Sequence, residues 1–208
     1  DIDALLVLDA SGARIVDPGG LVGEDATRPL DALTPVRALT SALPDGAVLS
    51  DVGGAKERVV EAARTAVRPG VRFVGAHPMF GGQGGYAGAT ADRWKGGTVA
   101  VCTDGDPEAV EQVVALHGAL GASVIRCRAA EHDEAVAMVS HLPYLVASAL
   151  SSATKEAGPL AMRLAGPGLK DTTRLASFAF DIQGEVARRN GHLPEAARRL
   201  ERHLSRIL

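Results

Sequence analysis

The strand signal in this 208-residue chain stops near residue 130 and does not return, so whatever sheet the chain builds must be complete by then. Before that point, short β-branched runs alternate with helical periodicity, the pattern of an α/β layer. Strands are predicted at Ala4–Leu8, Ala47–Val52, Val71–Ala76, Thr98–Cys102 and Ser123–Arg126. Between them, Ala55–Val67 places Val59, Ala62, Ala63 and Ala66 on one helical face, and Pro107–Leu120 does the same with Val110, Val113, Val114 and Leu120. A mostly parallel sheet with helical crossovers follows. From Glu131 the periodicity is helical throughout: Glu131–Ala157, Pro159–Leu164, Thr172–Arg189 and Pro194–Leu208. The expected organisation is an α/β domain over residues 1–128 and an all-helical domain over 129–208.

Composition narrows the function classes. With 22 Lys and Arg against 25 Asp and Glu, the net charge of −3 offers no footprint for nucleic acid. The longest apolar runs, such as Ala4–Leu8 and Leu142–Leu150, fall short of the ~20 residues that cross a bilayer. The acidic first residues carry no signal-peptide pattern, so a cytoplasmic location without a membrane partner is expected. The only cysteines, Cys102 and Cys127, each lie near a strand end and read as inert thiols, with neither a disulfide framework nor a metal site. Ala135–Leu150 is apolar on most faces, and in so small a helical domain a partner subunit would help bury it.

The segment Val74, Gly75, Ala76, His77, Pro78, Met79, Phe80, Gly81 closes a predicted strand with a His-Pro pair, by itself an ordinary turn. It resembles the strand-to-loop signature of prephenate/arogenate dehydrogenases. "SDVGGAK" (Ser50–Lys56), "EHDEAVAMVSHLPYLVASAL" (Glu131–Leu150) and "LAGPGLKDTTRLA" (Leu164–Ala176) follow in that family's order and spacing. The resemblance implies a Rossmann-like first domain, a helical dimerising second domain giving a homodimer, and oxidative decarboxylation of prephenate, arogenate or a close analogue such as the 4-amino form, using NAD or NADP.

The chemistry shows why such residues are wanted. Loss of hydride and carbon dioxide from a cyclohexadienyl acid yields an aromatic ring, so the protein mainly positions, polarises and removes a proton. A neutral His can take that proton near physiological pH, and ligands of open α/β sheets sit beyond the strand carboxyl ends, where His77 falls. By resemblance His77 is the acid/base group and Arg174 the carboxylate anchor, a role suited to a planar fork. The ordinary reading of Arg174 is a surface pair with Asp171 three residues earlier. His141, Gly54, Tyr144 and Gly168 fall in the matched blocks as substrate-binding positions. His132 with Asp133 reads as ordering a helix start, and Lys56 as solvated surface. His77 and Arg174 are expected to converge on one pocket bordered by His141.

The chain departs from the family pattern at several positions. Gly54 stands where a Ser is usual, Tyr144 replaces a second His, and Gln183 and Glu185 stand where a Trp and an Asp are usual. These changes imply an altered pocket wall. The glycine fingerprint of a dinucleotide site is not found, and no cofactor-binding residue is assigned. Asp9, Ala10, Ser11, Gly12 read as a hairpin turn into Ala13–Val16; Gly19, Gly20 and Gly23 are wrongly spaced; Gly82, Gly84 and Ala87 match by chance within a loop expected over the substrate pocket. The cofactor unit is therefore either incompletely represented or replaced. Two further readings stay open: a cofactor-independent enzyme on a related cyclohexadienyl acid, and a catalytically silent binding relative.

Overall fold

The computed structural model describes residues 5–9, 12–16, 40–80, 90–178, 184 and 187–208, and the chain divides into two compact units, Asp1–His132 and Asp133–Leu208. The first is built on a six-stranded sheet. Its strands are β1 (Leu5–Asp9), β2 (Gly12–Val16), β3 (Val48–Asp51), β4 (Arg72–Pro78), β5 (Thr98–Cys102) and β6 (Ser123–Cys127), lying in the order β2-β1-β3-β4-β5-β6. As the sequence predicts, β1 turns straight back into β2, with Asp9 opposite Gly12 in the register.

The sheet is mixed, which corrects the expectation of a mostly parallel one. The β3–β4 and β5–β6 pairs are parallel, whereas β1 pairs antiparallel with both β2 and β3, and β4 pairs antiparallel with β5. A parallel neighbour requires the chain to cross a face of the sheet before returning. The helices α1 (Glu57–Ala66) and α2 (Pro107–Ala119) make that crossover between β3 and β4 and between β5 and β6. Between β4 and β5 the described connection holds only the short 3₁₀ turn Ala91–Trp94, and the chain reverses at the end of β4 where His77 lies.

In β3, β4 and β5, side-chain alternation sends buried residues to both faces of the sheet. Val48, Val74, Ala76, Val99 and Val101 pack against Ala109, Val110 and Val113 of α2. Leu49 packs on the opposite side with Leu43, Ala47, Val71 and Ala66 of α1. The buried face of α1 is Val60, Ala63 and Ala66: Ala63 and Ala66 of the predicted stripe are buried, Val60 takes the place of Val59 and Ala62, and Leu120 is exposed rather than packed. α1 approaches β4 closely at Gly75, where an added Cβ would lie 3.1 Å from Val60 and 3.3 Å from the Cys102 sulfur. Asp106 caps α2 by accepting from the Ala109 N–H at 2.9 Å, with Pro107 in the first turn.

The helical unit begins within α3 (Ala129–Val136), which continues through a π turn at Ala137–His141 into α4 (Leu142–Glu156). Pro143 explains the π turn: it has no N–H and its ring crowds the preceding turn, and the Leu142 N–H reaches back to the Ala137 carbonyl. The resulting 28-residue helix, Ala129–Glu156, is long and apolar enough to span a bilayer by length and composition alone, which the run-length reading missed. Core helices of water-soluble proteins meet the same criterion, and this one packs Ala137 and Leu142 with Ala187, Leu193 and Ala196.

After Gly158 come α5 (Pro159–Leu164), α6 (Pro167–Thr173), a 3₁₀ turn at Arg174–Ser177 and the terminal α7 (Leu193–Ile207). The predicted helix Thr172–Arg189 is broken at its start. Thr172 and Thr173 turn their hydroxyls back to the Gly168 and Leu169 carbonyls, Ser177 does so to Arg174, and Phe178 is extended with ψ 147°. Hydroxyl side chains competing for backbone partners end the helix, and apolar periodicity does not register that competition.

Candidate active site

The turn from β3 into α1 is organised by a charge pair with no solvent exposure. The Lys56 ammonium pairs with the Asp51 carboxylate and donates to the Ala76 carbonyl at 2.8 Å. The same carboxylate accepts from the Gly53 N–H at 2.9 Å and the Ala76 N–H at 3.3 Å. Lys56 is therefore not the surface residue expected of it. It lies one turn before Val60 on the buried face of α1, and the Lys56, Val60, Ala63 spacing is the signal that marked it. A Cβ at Gly53 would stand 3.0 Å from the Asp51 carboxylate, so the turn closes tightly there. Gly54, half-buried beside it, supplies no hydroxyl.

His77 follows Ala76 at the end of β4, paired in register with Ala100 of β5, and is half-buried. Its Nδ1 lies 2.9 Å from Nε2 of His132, with the rings inclined at 69° and their centroids 5.1 Å apart. His132 is 3% exposed and sits inside α3, not at its start. The start is ordered by other groups: Asp104 accepts from the Ala129 N–H at 2.7 Å and Glu131 from the Arg128 N–H at 2.8 Å. That backbone contact, with the Arg128 guanidinium, holds the Glu131 carboxyl below its ordinary range. Sequence reasoning missed the part His132 plays beside His77; its place in the motif "EHD" was the only hint.

Burial pushes the Cys102 thiol far up, against the opposing pull of Lys56, so it stays a protonated, inert group. Among the described residues no group of three His, Cys, Asp or Glu side chains is placed to hold a metal. A cleft of about 340 Å³ between α1 and the β4–β5 edge, lined by Val60, Phe73, Cys102 and Asp104, includes neither His77 nor any other sequence-predicted site residue.

In the helical unit, His141 is buried and its Nδ1 lies 3.0 Å from Nδ2 of Asn190. The same Nδ2 donates to the Asp133 carbonyl at 2.7 Å, while the His192 N–H donates to Asn190 Oδ1 at 2.9 Å. The His192 contact fixes the amide orientation, so Nδ2 is the donor to His141 and the His141 proton sits on Nε2. Tyr144 is buried on α4, which packs against the 3₁₀ turn carrying Arg174. Arg174 is exposed, and among the described residues it makes no ion pair with Asp171, the partner its spacing suggested. Gly168 is exposed on α6 with open space where a Cβ would stand. His77 belongs to the first unit and His141, Tyr144, Gly168 and Arg174 to the second. Gln183, Glu185 and the Gly82, Gly84, Ala87 segment lie outside the described residues.

A dinucleotide pyrophosphate rests on the N-terminus of a helix that opens directly from a strand through a glycine turn. The described residues do not fit that requirement at β1, because the register with β2 leaves only two residues between the strands and no helix between them.

The first unit is thus an α/β layer with a histidine at a strand end, and the second is helical with an exposed arginine. Residues 27–126 match the nucleotide-binding domain of prephenate dehydrogenase, and residues 128–207 match its dimerization domain. The chain belongs to the prephenate dehydrogenase family. It is 32% identical to prephenate dehydrogenase of Bacillus subtilis over 136 residues, covering 62% of this chain and 37% of that one. It is 28% identical to 4-amino-4-deoxyprephenate dehydrogenase of Streptomyces pristinaespiralis, covering 98% of this chain and 75% of that one. The crystal structure of Synechocystis arogenate dehydrogenase superposes with a TM-score of 0.70 at 28% identity, covering 82% of this chain and 64% of that one. The chain thus spans well under half the length of the Bacillus subtilis relative.

Proposed function

We propose that this chain carries the substrate side of an oxidative decarboxylation of prephenate, arogenate or the 4-amino analogue, with His77 as proton acceptor and Arg174 as carboxylate anchor. The placement of His77 carries the reading: its imidazole stands at the end of β4, half-buried, with Nδ1 already engaged by His132. As hydride leaves the ring carbon, positive charge builds on its hydroxyl oxygen, or on the nitrogen of the 4-amino acid. A neutral imidazole is suited near pH 7 to take up that O–H or N–H proton and return it when loss of carbon dioxide completes the phenol or aniline. Arg174 offers a planar fork with no intrachain ion pair among the described residues. His141, held as an Nε2–H donor, Tyr144, Gly168 and the opening at Gly54 complete the proposed substrate contacts.

The nucleotide-binding domain match supports a nicotinamide cofactor, NAD or NADP, and the dimerization domain match supports a homodimer. The three relatives differ in the substituent on the ring acid, and the Gly54 and Tyr144 replacements favour an analogue over prephenate itself. A cytoplasmic location belongs to the same reading. The β1–β2 hairpin favours one alternative, a cofactor-independent enzyme on a related cyclohexadienyl acid. The test is to supply each of the three acids with NAD or NADP, following reduced nicotinamide and aromatic product separately. Reduced nicotinamide with at least one acid is expected; aromatic product without it would replace the proposal by the alternative, and no product with any acid would remove both.

A further inference from the structure

We infer that His132 is the positioning residue of His77, accepting its Nδ1–H so that the lone pair of His77 is presented on Nε2. The inference rests on the proposed role of His77 and names a residue that neither the motif reading nor the relatives assign. Two neutral imidazoles with ring nitrogens 2.9 Å apart must share one proton between them, one ring donating and the other accepting. The 69° inclination lets an N–H in the plane of one ring meet the in-plane lone pair of the other.

Only one of the two proton arrangements leaves His77 able to act as a base. With its proton on Nδ1 and pointed at His132, Nε2 of His77 carries a lone pair and can take a hydroxyl proton; the product imidazolium keeps its Nδ1–H bond to His132. With the proton on His132 Nε2, His77 would hold its own proton on Nε2 and could only donate.

The surroundings give His132 this task. The Gly54 position provides no hydroxyl to orient the His77 ring. The backbone of His77 is fixed on one side by β5, through the pairing with Ala100, and at the preceding residue by Lys56 and Asp51, which hold the Ala76 carbonyl and N–H and neutralise each other. His132 is fixed as firmly: it is buried, its N–H donates to the Arg128 carbonyl at 2.9 Å, and Asp104 anchors the first turn of its helix. An acceptor so placed selects the tautomer and ring angle of His77, as second-shell partners do for ligating and catalytic histidines.

The test begins on the unaltered chain labelled with ¹⁵N-histidine, at a pH where both rings are neutral. A scalar coupling across the hydrogen bond between His77 Nδ1 and His132 Nε2 is expected, with His77 as the Nδ1–H tautomer. The Nε2–H tautomer of His77, or no coupling, would overturn the inference whether or not the chain turns over any ring acid. His132→Phe should then release the tautomer preference and lower kcat by ~10-fold or more with little change in KM, and move the acidic limb of the pH–rate profile to lower pH, since the His77 imidazolium loses its acceptor. His132→Gln, whose amide oxygen can still accept, should recover part of the rate and of that shift. Equal loss in both variants with an unmoved pH profile would reduce His132 to a packing residue. Absence of turnover in the unaltered chain, with the coupling present, would remove the proposed function and leave the tautomer assignment standing.

Discussion

The Lys56 ammonium, paired with Asp51 and donating to the Ala76 carbonyl at 2.8 Å, is buried one residue away from His77. Both charges are out of water, so removing one leaves the other uncompensated. Lys56→Met should therefore destabilise the chain by about 3–5 kcal/mol in urea unfolding. Lys56→Met combined with Asp51→Leu should recover only part of that loss, because it removes the uncompensated charge but strips the Gly53 and Ala76 N–H groups and the Ala76 carbonyl of these side-chain partners. A single variant as stable as the parent would show that the pair contributes nothing.

His117 supplies a pH dependence of definite sign. It is 1% exposed, stacks on Trp94 with centroids 5.3 Å apart, and neither ring nitrogen has a hydrogen-bond partner. Burial lowers its pKa below the ordinary value. The unfolded chain then binds the proton more readily, so stability is complete above about pH 6.5 and falls as pH drops toward the lowered folded value. His117→Leu should be neutral or stabilising by about 1 kcal/mol at pH 7, since an unpaired buried polar group costs ~1–3 kcal/mol. Its advantage over the parent should widen at pH 5. Parallel pH dependences in urea unfolding would contradict this.

The homodimer proposal makes a mass prediction. Leu160 and Leu164, one turn apart on α5, are 65% and 75% exposed, and Val139 on the π turn is 67% exposed. Apolar side chains of this size in one unit are what an obligate interface covers. Light scattering at micromolar concentration should give twice the chain mass, and Leu160→Asp with Leu164→Asp should give the chain mass. A parent that scatters as a monomer would end the proposal.

What was legible in the sequence follows the range of the interactions involved. Thr98–Cys102 and Pro159–Leu164 are found where predicted, and the Asp9–Gly12 turn was readable, because alternation, helix starts and short turns are local. The antiparallel β4–β5 pairing was not, since strand direction depends on how distant segments return to the sheet. Lys56 was misread because Lys is usually exposed, although its place one turn before Val60 pointed inward. His132 was misassigned for a related reason: its partner His77 is 55 residues away, and no local pattern encodes that contact. Arg174 fell inside a predicted helix because the back-bonding of Thr172 and Thr173 leaves the apolar periodicity unchanged.

Arg174 and His77 should separate kinetically. Arg174 is exposed and its guanidinium takes no partner from Asp171, so Arg174→Ala should leave the unfolding midpoint nearly unchanged. If it anchors a substrate carboxylate, the loss appears in binding: KM should rise by ~30-fold or more, with a much smaller change in kcat. Arg174→Lys keeps the charge but loses the two-pronged geometry, and should recover only part of the affinity. His77→Ala should do the reverse, lowering kcat by ~100-fold or more while KM moves little, because a proton acceptor acts mainly in the transition state. The two sets of constants, measured with whichever ring acid the parent turns over, decide the roles. A fall in kcat alone for Arg174→Ala would move that residue out of the anchoring role, and an unchanged kcat for His77→Ala would leave the chain without its proposed base.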